Sequence, residues 1–155
     1  MPATYYHLLP SPLGELLLTS DGHFLTGVAM SEKPTGSDIA DKKLLAPAVA
    51  QLRAYFAVEL TRFDLPLRQG GTPFQERVWA ELLNIPHGAK ATYREVAERL
   101  RKPTAARAVG GANGRNKLGI VVPCHRVVAT GGLGGYSGGL WRKEWLLKHE
   151  QDHAV

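Results

Sequence analysis

The sequence predicts an α+β/α chain: a small sheet-and-helix domain over residues 1–67, then a mainly helical domain over residues 68–155 that contains a helix-turn-helix. Three observations carry this expectation. Short β-prone runs broken by turn residues fill the first third, two capping-box signatures open helices further on, and the positive charge is confined to the second part. Residues 1–66 hold five Lys/Arg against seven Asp/Glu, net −2, and residues 67–155 hold fourteen against seven, net +7.

Thr4 to Leu9, Glu15 to Ser20 and Phe24 to Met30 read as strands of a β meander. Pro10-Ser11-Pro12-Leu13-Gly14 and Asp21-Gly22 supply the turns, and Asp21-Gly22 is the stronger hairpin signal. After a Ser/Gly/Asp-containing loop, Leu45, Ala48, Val49, Leu52 and Phe56 recur at helical spacing. Arg68-Gln69-Gly70-Gly71 reads as a linker. Thr72-Pro73-Phe74-Gln75 then combines an N-cap, Pro at the first helical position and Gln at the third, so a helix starts there with Phe74, Val78, Trp79, Leu82 and Leu83 inward. Thr92-Tyr93-Arg94-Glu95 repeats the signature, with Tyr93, Val96, Ala97 and Leu100 at i, i+3, i+4, i+7. A third helix follows from Pro103, with Ala105, Ala108, Val109 and Ala112 inward. Two helices joined this tightly, with a basic exterior, read as a helix-turn-helix.

The outer face of that third helix is nearly bare: Ala106, Arg107, Gly110 and Gly114. Glycine inside a helix costs about 1 kcal/mol relative to alanine, so Gly110 and Gly111 give up roughly 2 kcal/mol unless something approaches the backbone closely. A lone Arg107 on such a face could project into a duplex. The alternative is that the glycines mark an early helix end and Arg107 is solvated.

Between Asn84 and Val128, nine basic residues stand against two acidic ones, which suits a polyanion and equally a solvated cationic face. The 44% hydrophobic and 21% charged content is ordinary for a globular protein. No stretch approaches the roughly 20 apolar residues of a membrane span, and Met1 to Pro10 lacks the basic and apolar regions of a leader. The expectation is a soluble, cytoplasmic protein without a membrane partner. A single cysteine, Cys124, excludes internal disulfides and leaves a Cys-based zinc site poor. The six glycines of Ala129 to Gly139 lack G-x-G-x-x-G spacing, since Ser137 stands where the third glycine would fall, and a P-loop is absent.

Cys124 lies in Pro123-Cys124-His125-Arg126-Val127-Val128, after the apolar, β-prone run Leu118 to Val122. A lone cysteine can be an inert core residue, but an imidazole and a guanidinium follow directly, and cationic neighbours favour the thiolate. Successive strand side chains point to opposite faces, so Cys124 and His125 can meet only if the backbone breaks there. Leu140 to Glu150 predicts a terminal helix carrying Trp145, Leu146 and Leu147, whose Glu150 is either solvated or within reach of the imidazole.

Together with Arg107-Ala108-Val109-Gly110-Gly111-Ala112 and Tyr136-Ser137-Gly138-Gly139-Leu140, the cysteine motif closely resembles the O6-alkylguanine-DNA alkyltransferase family, from about Thr72 to Glu150. The N-terminal part is similar only in its β-then-helix order, which in that family is a ribonuclease H-like domain. The resemblance implies direct-reversal DNA repair by a single-turnover methyltransferase: O6-alkylguanine flips out of double-stranded DNA and its alkyl group passes irreversibly to Cys124. It implies that His125 draws the thiol proton through a water, that Glu150 orients the imidazole, that Tyr93 crowds the 3′ phosphate and donates to guanine N3, and that Asn116 holds the cysteine turn. Val127 would accept from the exocyclic amine through its carbonyl, the Ser137 N–H would donate to O6, and Tyr136 and Gly138 would form part of the base pocket. Arg107 would fill the stack, with Thr92, Ala106, Gly110 and Arg115 also on DNA. No cofactor and no metal are implied, because the cysteines that hold structural zinc in some relatives are missing. A monomer is expected, with cooperative loading on DNA and repair of O4-alkylthymine left open, and nucleoid association if the source is prokaryotic.

The chain departs from some relatives in a glycine-rich Ala129–Gly135 stretch that is one residue shorter, and in Gly135 where they carry asparagine. Two other readings stand beside this one. A non-catalytic alkyltransferase-like protein would bind the lesion without transfer, but typically has tryptophan at the acceptor position. A cysteine hydrolase could use the same Cys, His and carboxylate, yet explains neither the helix pair nor the glycine face.

Overall fold

A computed structural model describes residues 3–154. Met1 and Pro2, the first residues of the N-terminal stretch that lacks leader character in sequence, and Val155 lie outside the described residues. The chain divides into two compact units after Gln69, where the sequence placed the boundary after Leu67. No helix of the described residues is long and apolar enough to cross a membrane.

The first unit is a four-stranded sheet in the order β3-β2-β1-β4 with one helix. Strands β1 (Tyr5–Ser11), β2 (Gly14–Ser20) and β3 (Leu25–Met30) run antiparallel, as the meander predicts. The first turn is tighter than expected, because Pro10 and Ser11 stay in β1 and pair with Glu15 and Gly14. Ser11 Oγ donates to the Gly14 carbonyl at 2.6 Å and closes it. At the second turn, Asp21 Oδ1 accepts from the His23 and Phe24 amides, both at 2.9 Å. The loop before the helix hides a short strand β4 (Ile39–Ala40), parallel to β1. Helix α1 (Ala46–Phe56) buries Ala48, Val49, Leu52 and Tyr55, joining a core of Leu9, Leu16, Leu18 and Val28.

Among its described residues, the second unit carries four α-helices around a two-stranded parallel ladder. Helix α2 (Pro73–Leu82) and helix α3 (Tyr93–Arg99) both open on complete capping boxes, at Thr72/Gln75 and Thr92/Glu95. Each hydroxyl cap is worth about 1 kcal/mol. Val78, Trp79 and Leu82 are buried, whereas Leu83, expected inward, is 52% exposed because α2 ends at Leu82. Trp79 Nε1 donates to the Ala112 carbonyl at 2.9 Å, and Arg77 Nη2 to the Leu100 carbonyl at 2.9 Å, which tie α2 to the helix pair. Gly71 is required here: a Cβ would lie 2.5 Å from the Trp79 ring.

Helix α4 (Ala106–Gly114) begins three residues later than Pro103 suggests, and its buried face is Val109, Ala112 and Asn113. Ala108, expected inward, is exposed, and the polar Asn113 takes that side. Its Nδ2 donates to the Cys124 carbonyl at 3.2 Å, which accounts for a buried amide that apolar periodicity cannot show.

Leu118 to Val122 is buried but is not a strand. Tight turns run through it, with Ile120 at φ 69 and the Val122 amide bonded back to the Leu118 carbonyl at 2.9 Å. The apolar residues serve the core rather than a sheet. A 3-10 turn, Cys124–Arg126, leads into β6 (Val127–Val128), which pairs with β5 (Ala91–Thr92). Helix α5 (Leu140–Asp152) buries Lys143, Leu146, His149 and Glu150, while Trp145 and Leu147 are only half-buried. Its inner face is thus largely polar.

Candidate active site

Cys124 opens the 3-10 turn and is 5% exposed. The turn is the backbone break that the adjacent Cys and His require, although it follows turns rather than a strand. Asn116 shapes the approach: its Nδ2 donates to the Val122 carbonyl at 2.9 Å and its Oδ1 accepts from the Leu118 amide at 3.1 Å. Burial pushes the Cys124 thiol up from its usual range, partly offset by hydrogen bonding from Asn116 and the charge of Lys143. At neutral pH the resting group is therefore a thiol, and a nucleophilic role would require a base.

His125 and Glu150 come together. His125 is fully buried, with Nε2 2.7 Å from Glu150 Oε2, and its Nδ1 has no hydrogen-bond partner among the described residues. Burial is the largest influence on the imidazole and lowers its pKa, against the upward pull of Glu150. A neutral ring beside an ionised carboxylate places its proton on Nε2, which donates, and leaves the Nδ1 lone pair as the basic site. Burial alone would raise the Glu150 pKa, but His125 and Arg126 outweigh it and hold the carboxyl well below the usual range.

In front of the cysteine lies a pocket of about 130 Å³ lined by Tyr93, Gly110, Asn113, Gly114, Cys124, Gly135, Tyr136 and Ser137. Tyr93, at the start of α3, accepts through its hydroxyl from the Gly135 amide at 3.3 Å. Gly134, at φ 74, packs on that ring so closely that a Cβ would lie 2.5 Å from the Tyr93 hydroxyl. Burial pushes the Tyr136 hydroxyl well above its ordinary pKa, so it stays protonated at neutral pH. On α4, a Cβ at Gly111 or Gly114 would meet nothing within 4 Å. Packing within the described residues therefore does not demand those glycines.

The structure separates other expected site residues from the pocket wall. The Val127 carbonyl accepts from Lys143 Nζ at 2.7 Å, and the Gly138 carbonyl from Arg142 Nη1 at 2.7 Å; neither residue lines the pocket. Arg107 and Arg115 are exposed and Ala106 is half-buried. The Thr92 hydroxyl is engaged as an acceptor in the α3 cap.

Arg126 departs from the role its place beside the cysteine suggests, and Lys143 and Asn113 have no counterpart among the expected site residues. Arg126 does not face the thiol as a charge; its Nε and Nη2 donate to the two oxygens of Glu150 at 2.8 and 3.0 Å. Lys143, fully buried on α5, ties the Val127 carbonyl to the Gly135 carbonyl, the latter at 3.0 Å. Burial lowers its pKa to about 8 against the attraction of Cys124. Asn113 has its Oδ1 buried without a hydrogen-bond partner among the described residues. Arg126 was visible only as part of the cysteine motif, and neither Lys143, between Arg142 and Glu144, nor Asn113 carries a local signal.

Comparison with known proteins matches residues 4–69 to the ribonuclease-like domain of 6-O-methylguanine DNA methyltransferase, and residues 73–152 to its DNA binding domain. The chain belongs to the 6-O-methylguanine DNA methyltransferase family. It is 47% identical over 155 residues to the methylated-DNA--protein-cysteine methyltransferase of Mycobacterium tuberculosis H37Rv, covering 97% of this chain and 94% of that relative. The protein of the same description from Methanosarcina barkeri is 44% identical, covering 96% and 98%. Among solved structures, Mycobacterium tuberculosis OGT in complex with DNA superposes with a TM-score of 0.91 at 47% identity, over 97% of this chain and 94% of that one. The family's order of a small sheet domain followed by a helical domain is the one found here.

Proposed function

We propose that this protein repairs double-stranded DNA by transferring the alkyl group of O6-alkylguanine irreversibly to Cys124, with O4-alkylthymine a second candidate lesion. The observation that carries this is a lone buried cysteine lining a base-sized pocket, with His125 beside it on the 3-10 turn bonded to Glu150 of α5. The flipped base enters past Tyr93 and Gly110, and a damaged pair costs less to open. The thiol proton passes through a water to His125 Nδ1 while the sulfur attacks the alkyl carbon; the S–C bond forms as the C–O6 bond breaks. Guanine leaves poorly as an anion, so donors from the Tyr93 hydroxyl to N3 and the Ser137 amide to O6 lower the barrier. The Val127 carbonyl, which keeps one lone pair beside Lys143, accepts from the exocyclic amine. Gly138 supports the lip next to Tyr136, and Asn116 holds the cysteine turn.

Arg107 fills the vacated stack from the open face of α4, while Thr92, Ala106, Gly110 and Arg115 track the backbone. The thioether has no regenerating partner, so one protein repairs one lesion without cofactor or metal. Acting on chromosomal DNA, it works as a monomer in the cytoplasm, at the nucleoid in a prokaryote. Incubation with a duplex carrying one O6-methylguanine, followed by intact mass, tests the reading. One methyl in place of the thiol proton is expected. Unchanged mass with retained binding would indicate a non-catalytic lesion binder instead, and neither mass change nor binding would remove the DNA assignment.

A further inference from the structure

The relay described above leaves the buried guanidinium of Arg126 without a task. Arg126 is 6% exposed, and its fork meets both oxygens of Glu150 while Nη1 donates to the Ile85 carbonyl at 2.6 Å. His125 Nε2 approaches the same Oε2 that Nη2 holds. Glu150 is 1% exposed, and a carboxylate so buried needs a compensating positive charge. Two groups in contact can provide it. The guanidinium carries its charge permanently, whereas the imidazole provides one only by holding a proton on both nitrogens, which destroys it as a base.

Resting on the alkyl-transfer reading, we propose that Arg126 is a positioning residue for the reaction: it supplies the charge that Glu150 requires, so that His125 stays neutral, with its proton on Nε2 and a free lone pair on Nδ1. The groups facing the imidazole are Glu150, which draws a proton onto it, and Arg126 and Lys143, which oppose that. Cys124 adds no charge while it is a thiol. His87 also interacts electrostatically with Glu150, Arg126, His149 and His153, and burial lowers its pKa, so it does not take over the role of counter-charge. Arg126 and Glu150 thus form an internally neutral pair that orients His125 without charging it. The two residues flanking His125 in sequence then have complementary roles: Cys124 gives up a proton, and Arg126 keeps the place for that proton open.

The test reads the ring nitrogens of His125 directly, by 15N shifts in the full chain without DNA, assigned against His125→Gln. At about pH 7 the wild type should show one protonated and one unprotonated nitrogen, and Arg126→Met should show both protonated. Single-turnover transfer by Arg126→Met should fall about tenfold for each pH unit by which the raised imidazole pKa exceeds the assay pH, and the deficit should close as pH rises. Arg126→Lys keeps a charge and should recover much of the neutral-pH rate. Arg126→Met alone leaves a buried carboxylate that can unfold the chain, so Arg126→Met/Glu150→Gln removes both charges; its His125 should be neutral again. A doubly protonated His125 in the wild type or in that double variant overturns the proposal, as does a neutral His125 in folded Arg126→Met. Because the nitrogen shifts need no substrate, a neutral Nε2–H ring in a protein that transfers nothing would remove the repair reading and leave the charge arrangement standing.

Discussion

Replacing Glu150 with Gln changes one oxygen for an amide and removes one charge, with consequences that can be worked out contact by contact. The carboxylate accepts from Arg126 twice, at 2.8 and 3.0 Å, from His125 at 2.7 Å and from the Gly88 amide at 3.3 Å. A carboxamide keeps an acceptor at one end and turns an N–H₂ donor on the donors at the other, leaving Arg126 buried and uncompensated. Breaking a buried pair by removing one partner costs about 3–5 kcal/mol, which for a unit of this size lowers Tm by roughly 12 °C or more. The pH dependence gives a sharper signature. Glu150's folded pKa is depressed, so its stabilisation is fully present above the unfolded value of about 4.3 and is lost as pH falls toward the folded one. Melts followed by circular dichroism should show a gap between wild type and Glu150→Gln that is widest near neutrality and narrows as pH falls below about 4. A gap that stays constant into acid, or no gap at neutral pH, would mean that Glu150 carries no buried charge.

Cys124→Ser should abolish transfer while duplex binding persists in a mobility-shift titration; residual stoichiometric transfer would take the acceptor role from Cys124. Duplex affinity should fall with salt at a log-log slope of roughly −0.9 per neutralised phosphate, and Arg107→Ala should slow transfer on duplex more than it alters that slope. Lys143→Met should slow transfer by releasing the Val127 and Gly135 carbonyls. Since the lysine titrates at about 8, the wild-type to variant rate ratio should shrink above that pH, whereas a constant ratio would deny the charged tie. Gly134→Ala should slow transfer through displacement of Tyr93, with the strained φ of 74 costing about 1–3 kcal/mol in denaturant melts.

Features governed by neighbours in sequence were legible. The Thr72/Gln75 and Thr92/Glu95 boxes close within four residues, and the turns at Pro12-Leu13 and Asp21 are set by local side-chain hydrogen bonds. The pairing of His125 with Glu150 beside Cys124 was expected, His125 from the hexapeptide and Glu150 through the family resemblance. What escaped depends on partners distant in sequence. Arg126 meets a carboxylate 24 residues on, and Lys143 answers two carbonyls that have no sequence signature. Leu118 to Val122 shows the opposite failure: burial supplied the apolar pattern of a strand, while the Asn116 side chain and the left-handed Ile120 made turns. Asn113 and Ala108 exchanged faces because a polar side chain found a backbone partner on the cysteine itself. Strand β4 escaped because two residues carry no alternation.

In the proposed repair reaction Cys124 takes the alkyl group once, from DNA, and keeps it. A duplex bearing one O6-methylguanine with a deuterated methyl group, mixed with the protein and digested for peptide mass mapping, measures this directly. The labelled methyl should appear on Cys124 alone, in amount equal to the lesions lost and never above one per protein molecule. Label on another residue, loss of lesions in excess of protein, or unlabelled Cys124 beside repaired DNA would contradict it.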